Sequence, residues 1–174
     1  VKQIKVVSPF SPFLQFSPDF KEMWMTHKDV GKVTRIDTDK LEVKGVFDTG
    51  MITNHLAFAK VGGSTYAYIT IGGENAVKVY TTDDTPKLTA TIPTGALPHG
   101  VWTSDDGSRV YVGLENGDAV DVIDTASNKV TGRPPSSGSS CACSSRQMGT
   151  VPTSRPCGWS STAPPMAWAS NWWP

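Results

Sequence analysis

The residues best suited to chemistry in this chain are its three histidines, His27, His55 and His99. A neutral imidazole is a good ligand for copper, iron or zinc, and its charge changes near physiological pH. His55 and His99 stand 44 residues apart, each opening a β-favouring run. Carboxamides and carboxylates accompany them in turn-like sequences: Asn54 beside His55, Glu74-Asn75 in Gly-Gly-Glu-Asn, and Glu115-Asn116 with Asp118 in Glu-Asn-Gly-Asp. Such groups either bind a ligand or solvate turns. The usual catalytic signatures are missing from the sequence, which has no Gly-x-Ser-x-Gly, no phosphate-cradling glycine loop and no Cys-x-x-Cys-His. Ser64 and Ser104 sit in turns with nothing nearby in sequence to activate them as nucleophiles.

The elements that must position these side chains are short strands. Asp106 to Lys129 holds two runs of alternating apolar residues around Asn116-Gly117, a pair that tolerates positive φ and marks a hairpin. The same unit occurs twice upstream. Ser17-Pro18-Asp19 to Trp24-Met25 corresponds to Ser104-Asp105-Asp106 to Tyr111-Val112 at an offset of 87, and Arg35-Ile36-Asp37-Thr38 to Val122-Ile123-Asp124-Thr125 at the same offset. Ala76-Val77-Lys78-Val79 corresponds to Ala119-Val120-Asp121-Val122 at 43.

Four short strands recurring every 40–45 residues are the pattern of β-propeller blades, each a small sheet that cannot bury its faces alone. The expectation is therefore an all-β chain with about three four-stranded blades, spanning roughly 10–50, 51–95 and 96–132, within a partial propeller over 1–132. Propellers close with roughly four to eight blades, so three blades read as an incomplete ring. Ile4 to Val6 reads as a lone strand, the last of a preceding blade. Unpaired edges and bare faces of such a fragment predict aggregation.

In a propeller the innermost strand of each blade comes first, so the blade-to-blade connections and the second-to-third-strand loops open on one face. His27 falls in such a loop, and His55 and His99 fall at equivalent entries to innermost strands. Asn54, Glu74, Asn75, Glu115, Asn116 and Asp118 join them on this face. His55 and His99 are candidates either for a metal or haem contact at the channel mouth or for hydrogen bonds that fix the ring. Trp24, Trp102 and Tyr111 are expected to pack blade on blade.

After Gly132 the composition changes. Residues 133–174 contain no Ile, Leu, Phe, Tyr, Asp, Glu, Lys or His, yet hold all three cysteines, four of six tryptophans and seven of thirteen prolines. This is the composition of a disordered Ser/Pro-rich tail or of a gene read in a shifted frame, and the second reading is preferred. Cys141, Cys143 and Cys157 offer three thiols, one short of a closed zinc site. Residues 1–132 carry thirteen basic and sixteen acidic residues, a net −3, which argues against nucleic-acid binding. No apolar run approaches the eighteen or so residues that span a bilayer.

The stretch Pro98 to Val130, P-H-G…S-x-D-G-x-x-V-Y-V…V-x-V-I-D-T…K-V, resembles the YVTN-type propeller repeat, with Tyr111-Val112-Gly113-Leu114 at the position that names it. The other copies depart from it, carrying Trp24-Met25-Thr26-His27 and Tyr68-Ile69-Thr70-Ile71. The resemblance covers residues 2–132. It implies a propeller related to the haem-d1 and nitrous-oxide reductase domains and a periplasmic or extracellular bacterial location. Because one fold hosts many activities, two functions follow. The first is a non-catalytic scaffold binding a protein or small ligand on the loop face. The second is a redox or hydrolytic enzyme with a transition metal or haem at the channel.

Overall fold

A computed structural model describes residues 2–134. Among these, twelve strands form three four-stranded antiparallel sheets, each with its strands in sequence order. Blade 1 is β1 (Leu14–Phe16), β2 (Glu22–His27), β3 (Lys32–Asp37) and β4 (Glu42–Asp48). Blade 2 is β5 (Thr53–Val61), β6 (Ser64–Ile71), β7 (Ala76–Thr81) and β8 (Leu88–Pro93), and blade 3 is β9 (Pro98–Thr103), β10 (Arg109–Leu114), β11 (Val120–Asp124) and β12 (Lys129–Gly132). This is the all-β propeller architecture that the repeat predicts.

Alternation along each second strand assigns its two faces, because side chains in a strand point to opposite sides in turn. In β6, Ala67, Ile69 and Ile71 are buried in a cluster with Trp24 and Val33 of blade 1. Tyr68 points the other way, into a cluster with Val101, Val110, Val112 and Ile123 of blade 3. The core is therefore two seams between sheets, not one centre. Trp24, Tyr68 and Tyr111 occupy equivalent positions facing the next blade. The first two are each 1% exposed, whereas Tyr111 is 37% exposed and its cross-strand partner Trp102 60%. Trp24 thus packs blade on blade as expected. Trp102 and Tyr111 lie on the outgoing face of blade 3, with no described sheet against them.

Ile4 to Val6 has no ladder partner and forms no strand, contrary to expectation. Its alternation still has a structural consequence, since Ile4 and Val6 are half-buried and Ser8 is buried while their neighbours are exposed. Lys2 Nζ donates to Lys40 O and Ser8 Oγ to the Asp29 carboxylate, tying both ends of the segment to blade 1. The blade 1 residues that face away from blade 2 are accordingly covered: Thr34 is 0% and Ile36 1% exposed.

The Asn116-Gly117 turn differs from the two-residue hairpin its sequence suggests. Neither residue has a positive φ. The Glu115 N–H instead donates to Leu97 O at 2.9 Å in the connection from blade 2, which draws Glu115 out of the ladder and lengthens the turn. Blade 3 contacts run slightly past residue 132: Val120 N–H donates to Pro134 O, and Arg133 pairs with Asp121. The cysteines and the tryptophans at 159, 168, 172 and 173 lie outside the described residues.

Candidate functional site

The connections between blades and the second-to-third-strand turns are stitched together at one end of the sheets. Ile52 N–H donates to Lys28 O, Gly72 N–H to Ile52 O, Thr94 N–H to Asn75 O, and Glu115 N–H to Leu97 O. These bonds follow from the sequence, because turns and connections leave backbone donors without a ladder and each must find an acceptor.

His55 and His99 come together here, their ring centroids 4.6 Å apart and tilted by 53°. Phe13, at the equivalent position of blade 1, stacks on His55 with centroids 4.2 Å apart and planes 13° from parallel. One ring at or immediately before each innermost strand thus forms a continuous arc. The backbone beneath it is fixed by a repeated hydroxyl. Thr26 Oγ1 of blade 1 donates to Asn54 O of blade 2 at 2.6 Å, and Thr70 Oγ1 of blade 2 reaches His99 O of blade 3 at 2.7 Å. Gly113 stands at that position in blade 3 and carries no hydroxyl to pass on. Burial, the neighbouring His99 and Lys28 all hold the His55 imidazole below its ordinary pKa. It is neutral, with a free lone pair, at neutral pH.

The other sequence candidates divide. Asn54 is fully buried and its Nδ2 donates to Pro98 O at 2.9 Å, tying the entry of blade 2 to that of blade 3. Its Oδ1 is buried and has no hydrogen-bond partner among the described residues. Asn75 adopts a left-handed conformation at φ 49, and its Oδ1 accepts the Leu97 N–H. Glu74 pairs with Lys78 four residues on. Glu115 lines a shallow recess with His55 and His99, while Asn116 is exposed in its turn.

His27 is not a loop residue. It ends β2 and is fully buried, with Nδ1 2.9 Å from Ser11 Oγ and Nε2 2.7 Å from Thr34 Oγ1. Burial outweighs the nearby Asp29 and holds its pKa down. Its place is against the N-terminal segment, apart from the His55–His99 pair.

Two features escaped the sequence reading. Phe13 belongs to the arc, and its spacing of 42 residues from His55 was the available signal. Arg35 is 2% exposed in the midst of an apolar strand. Its Nε and Nη2 donate to Glu22 and its Nη1 to Asp84 O of blade 2. Among the described residues, no group of three or more His, Cys, Asp or Glu is placed to hold a metal ion. The His55–His99 pair supplies two of the four donors that a tetrahedral transition-metal site needs.

No family model matches the chain, and no curated protein matches it. Solved structures do resemble it. Hydrazine synthase of Kuenenia stuttgartiensis superposes with a TM-score of 0.66 at 22% identity, over 76% of this chain and 37% of that one. The dihydro-heme d1 dehydrogenase NirN in complex with DHE gives 0.61 at 15%, over 72% and 28%. The β-propeller domain of Myceliophteria thermophila Cps50 (Swd1) gives 0.59 at 10%, over 72% and 43%. The chain therefore spans less than half of each of these proteins, and at such identities the likeness establishes the propeller fold.

Proposed function

We propose that this chain is a non-catalytic propeller scaffold that binds a protein or small ligand on the face formed by the blade connections. The observation that carries this reading is the arc of Phe13, His55 and His99, three rings in contact across three blades at the mouth of the channel. Imidazole edges offer hydrogen bonds, ring faces offer apolar area, and the stitched backbone beneath holds both in place. Glu115 and Asn116 form the accessible rim. The repeat is of the YVTN type on the pattern of Pro98 to Val130. That resemblance carries with it a periplasmic or extracellular bacterial setting, and the −3 charge of residues 1–132 disfavours nucleic acid. Among the described residues no helix is long and apolar enough to cross a membrane.

A second reading, a redox or hydrolytic enzyme with a metal or haem at the channel, draws on the 4.6 Å separation of two imidazoles. His55 and His99 would be its protein ligands, and a bound metal would supply Lewis-acid or redox chemistry. Titration with copper(II), zinc(II) and haem separates the two readings. The scaffold reading expects no stoichiometric uptake, or uptake that the double variant His55→Ala, His99→Ala leaves unchanged. Stoichiometric uptake abolished in that variant replaces it with the enzyme reading.

A further inference from the structure

The three innermost strands also line a groove that runs away from the histidine arc toward the opposite end of the blades. It encloses about 480 Å³, within the size range of small-molecule pockets. Phe13, Gln15, Phe16, Phe20, His55 and Trp102 contribute to its wall, and among the described residues no Asp, Glu, Lys or Arg lines it. A neighbouring recess of about 380 Å³ is by contrast lined by Asp19, Lys21, Glu22, Asp37, Asp39 and Lys44.

Leu41, Ile52 and Leu97 share a left-handed backbone with Phe20, but only Phe20 lines the groove. Its backbone sits in the left-handed region at φ 59, where a bulky side chain is disfavoured. The equivalent turn positions in blades 2 and 3 are Gly63 at φ 86 and Gly107 at φ 70, the residue type this conformation favours. The turn is held there by Phe20 N–H donating to Ser17 O and by Thr38 Oγ1 donating to Phe20 O at 2.7 Å. The ring that this strained position carries is 72% exposed and meets Phe16, itself 43% exposed, at a centroid distance of 6.2 Å. Trp102 also lines the groove; its indole lies over Gly100, where an added Cβ would meet it at 2.5 Å, and is 60% exposed. Phe16, Phe20 and Trp102 thus bring three exposed aromatic rings to one groove, an apolar surface suited to a ligand.

We propose that this groove binds an uncharged small molecule bearing a planar aromatic ring, which packs on the exposed rings of Phe16, Phe20 and Trp102. The absence of charge in the lining selects a neutral ligand, because a buried ion would find no partner. The ring faces select a planar π-system, which gains stacking beyond its apolar area. Gln15 is placed to give one orienting hydrogen bond. Phe13 and His55 are common to this groove and the loop-face arc, but the rings that carry the proposal, Phe16, Phe20 and Trp102, belong to the groove and not to the arc.

Saturation-transfer NMR and equilibrium dialysis on the full chain provide the test, using indole as probe against cyclohexanol and methyl β-glucoside. Indole is expected to bind in preference to both. Phe20→Gly restores the residue that blades 2 and 3 use at this turn, so it should leave Tm unchanged or raised while weakening indole about five- to tenfold. Phe16→Ala should weaken it similarly, keeping the test valid if the turn variant misfolds. Equal binding of cyclohexanol, preferential binding of the glucoside, absence of indole binding, or binding unchanged in both variants would each overturn the proposal.

Discussion

The seam between blades 1 and 2 and the seam between blades 2 and 3 occupy the same place in the repeat but are built from different chemistry. In the first, Trp24 is enclosed edge-on by Phe47 and Phe58. The Arg35 guanidinium sits 5.2 Å from its ring centroid and is held by Glu22. Lys44 bonds both Glu22 and Asp84. In the second seam Val79 stands at the position of Arg35, and Tyr68 packs with Val101, Val110, Val112 and Ile123. The repeat thus demands volume and alternation at a seam, and leaves open whether polar or apolar groups fill it, provided every buried charge is paired.

The charged seam is the more vulnerable to a single change. Burial pushes the Glu22 carboxyl up in pKa, and hydrogen bonds from Arg35, Lys44 and Trp24 override this to bring it to about 2. Arg35→Ala removes the largest partner and should destabilise the protein by about 3–5 kcal/mol in urea unfolding. The double variant Arg35→Met, Glu22→Leu, which makes this seam resemble its neighbour, should be near neutral. A double variant as damaging as the single one would show that the ion pair itself is required.

The apolar seam should respond to lost volume. Ile123 is fully buried in the blade 2–blade 3 cluster, and Ile123→Ala should cost about 2–4 kcal/mol through lost burial and the cavity left behind. Unlike Arg35→Ala, this loss has no polar component, so it should be the same at pH 7 and pH 4.

Acid should distinguish His27 and His55 from the charged seam. His55 and His27 have folded pKa values below the ordinary 6.5, so above that pH both folded and unfolded states are neutral and stability is at its full value. As pH falls below about 6.5 the unfolded chain takes up protons that the folded chain resists, and stability declines. Glu22 acts lower, its contribution being present above its ordinary 4.5 and lost as pH falls from there through about 2. Tm against pH should show two successive declines. The upper one should shrink in His55→Gln and the lower one in the Arg35→Met, Glu22→Leu variant. A single decline near pH 4 that neither variant alters would refute the assignment.

The blades were legible because alternation and an offset of 43–44 residues are local properties of a sequence. His55 and His99 could be paired for the same reason, as equivalent positions in adjacent repeats. The rest depends on context that a repeat does not encode. His27 looks like a turn residue, but the N-terminal segment folds over it and buries it. Asn116-Gly117 is a strong hairpin signal, but the Leu97 carbonyl in the connection leading into blade 3 captures the adjacent Glu115 N–H. Ile4 to Val6 alternates like a strand, but a strand needs a partner. Phe20 went unnoticed because its φ is set by the turn, and the two glycines that reveal this lie in other blades.

The smallest effect tests the hydroxyl that links one blade to the next. Thr70 Oγ1 accepts the His55 N–H at 2.9 Å and reaches His99 O at 2.7 Å, so it bonds to the backbone beneath both histidines. Thr70→Val preserves shape and leaves a half-buried N–H and a half-buried carbonyl without that partner, which should cost about 1–2 kcal/mol. Thr70→Ser returns the hydroxyl and should recover most of the loss. Because blade 3 has Gly113 at this position, the bond is a property of the first two seams and not of the fold. If Thr70→Val leaves stability unchanged, the first seam's Thr26 should prove equally dispensable, and the register between blades would rest on side-chain packing alone.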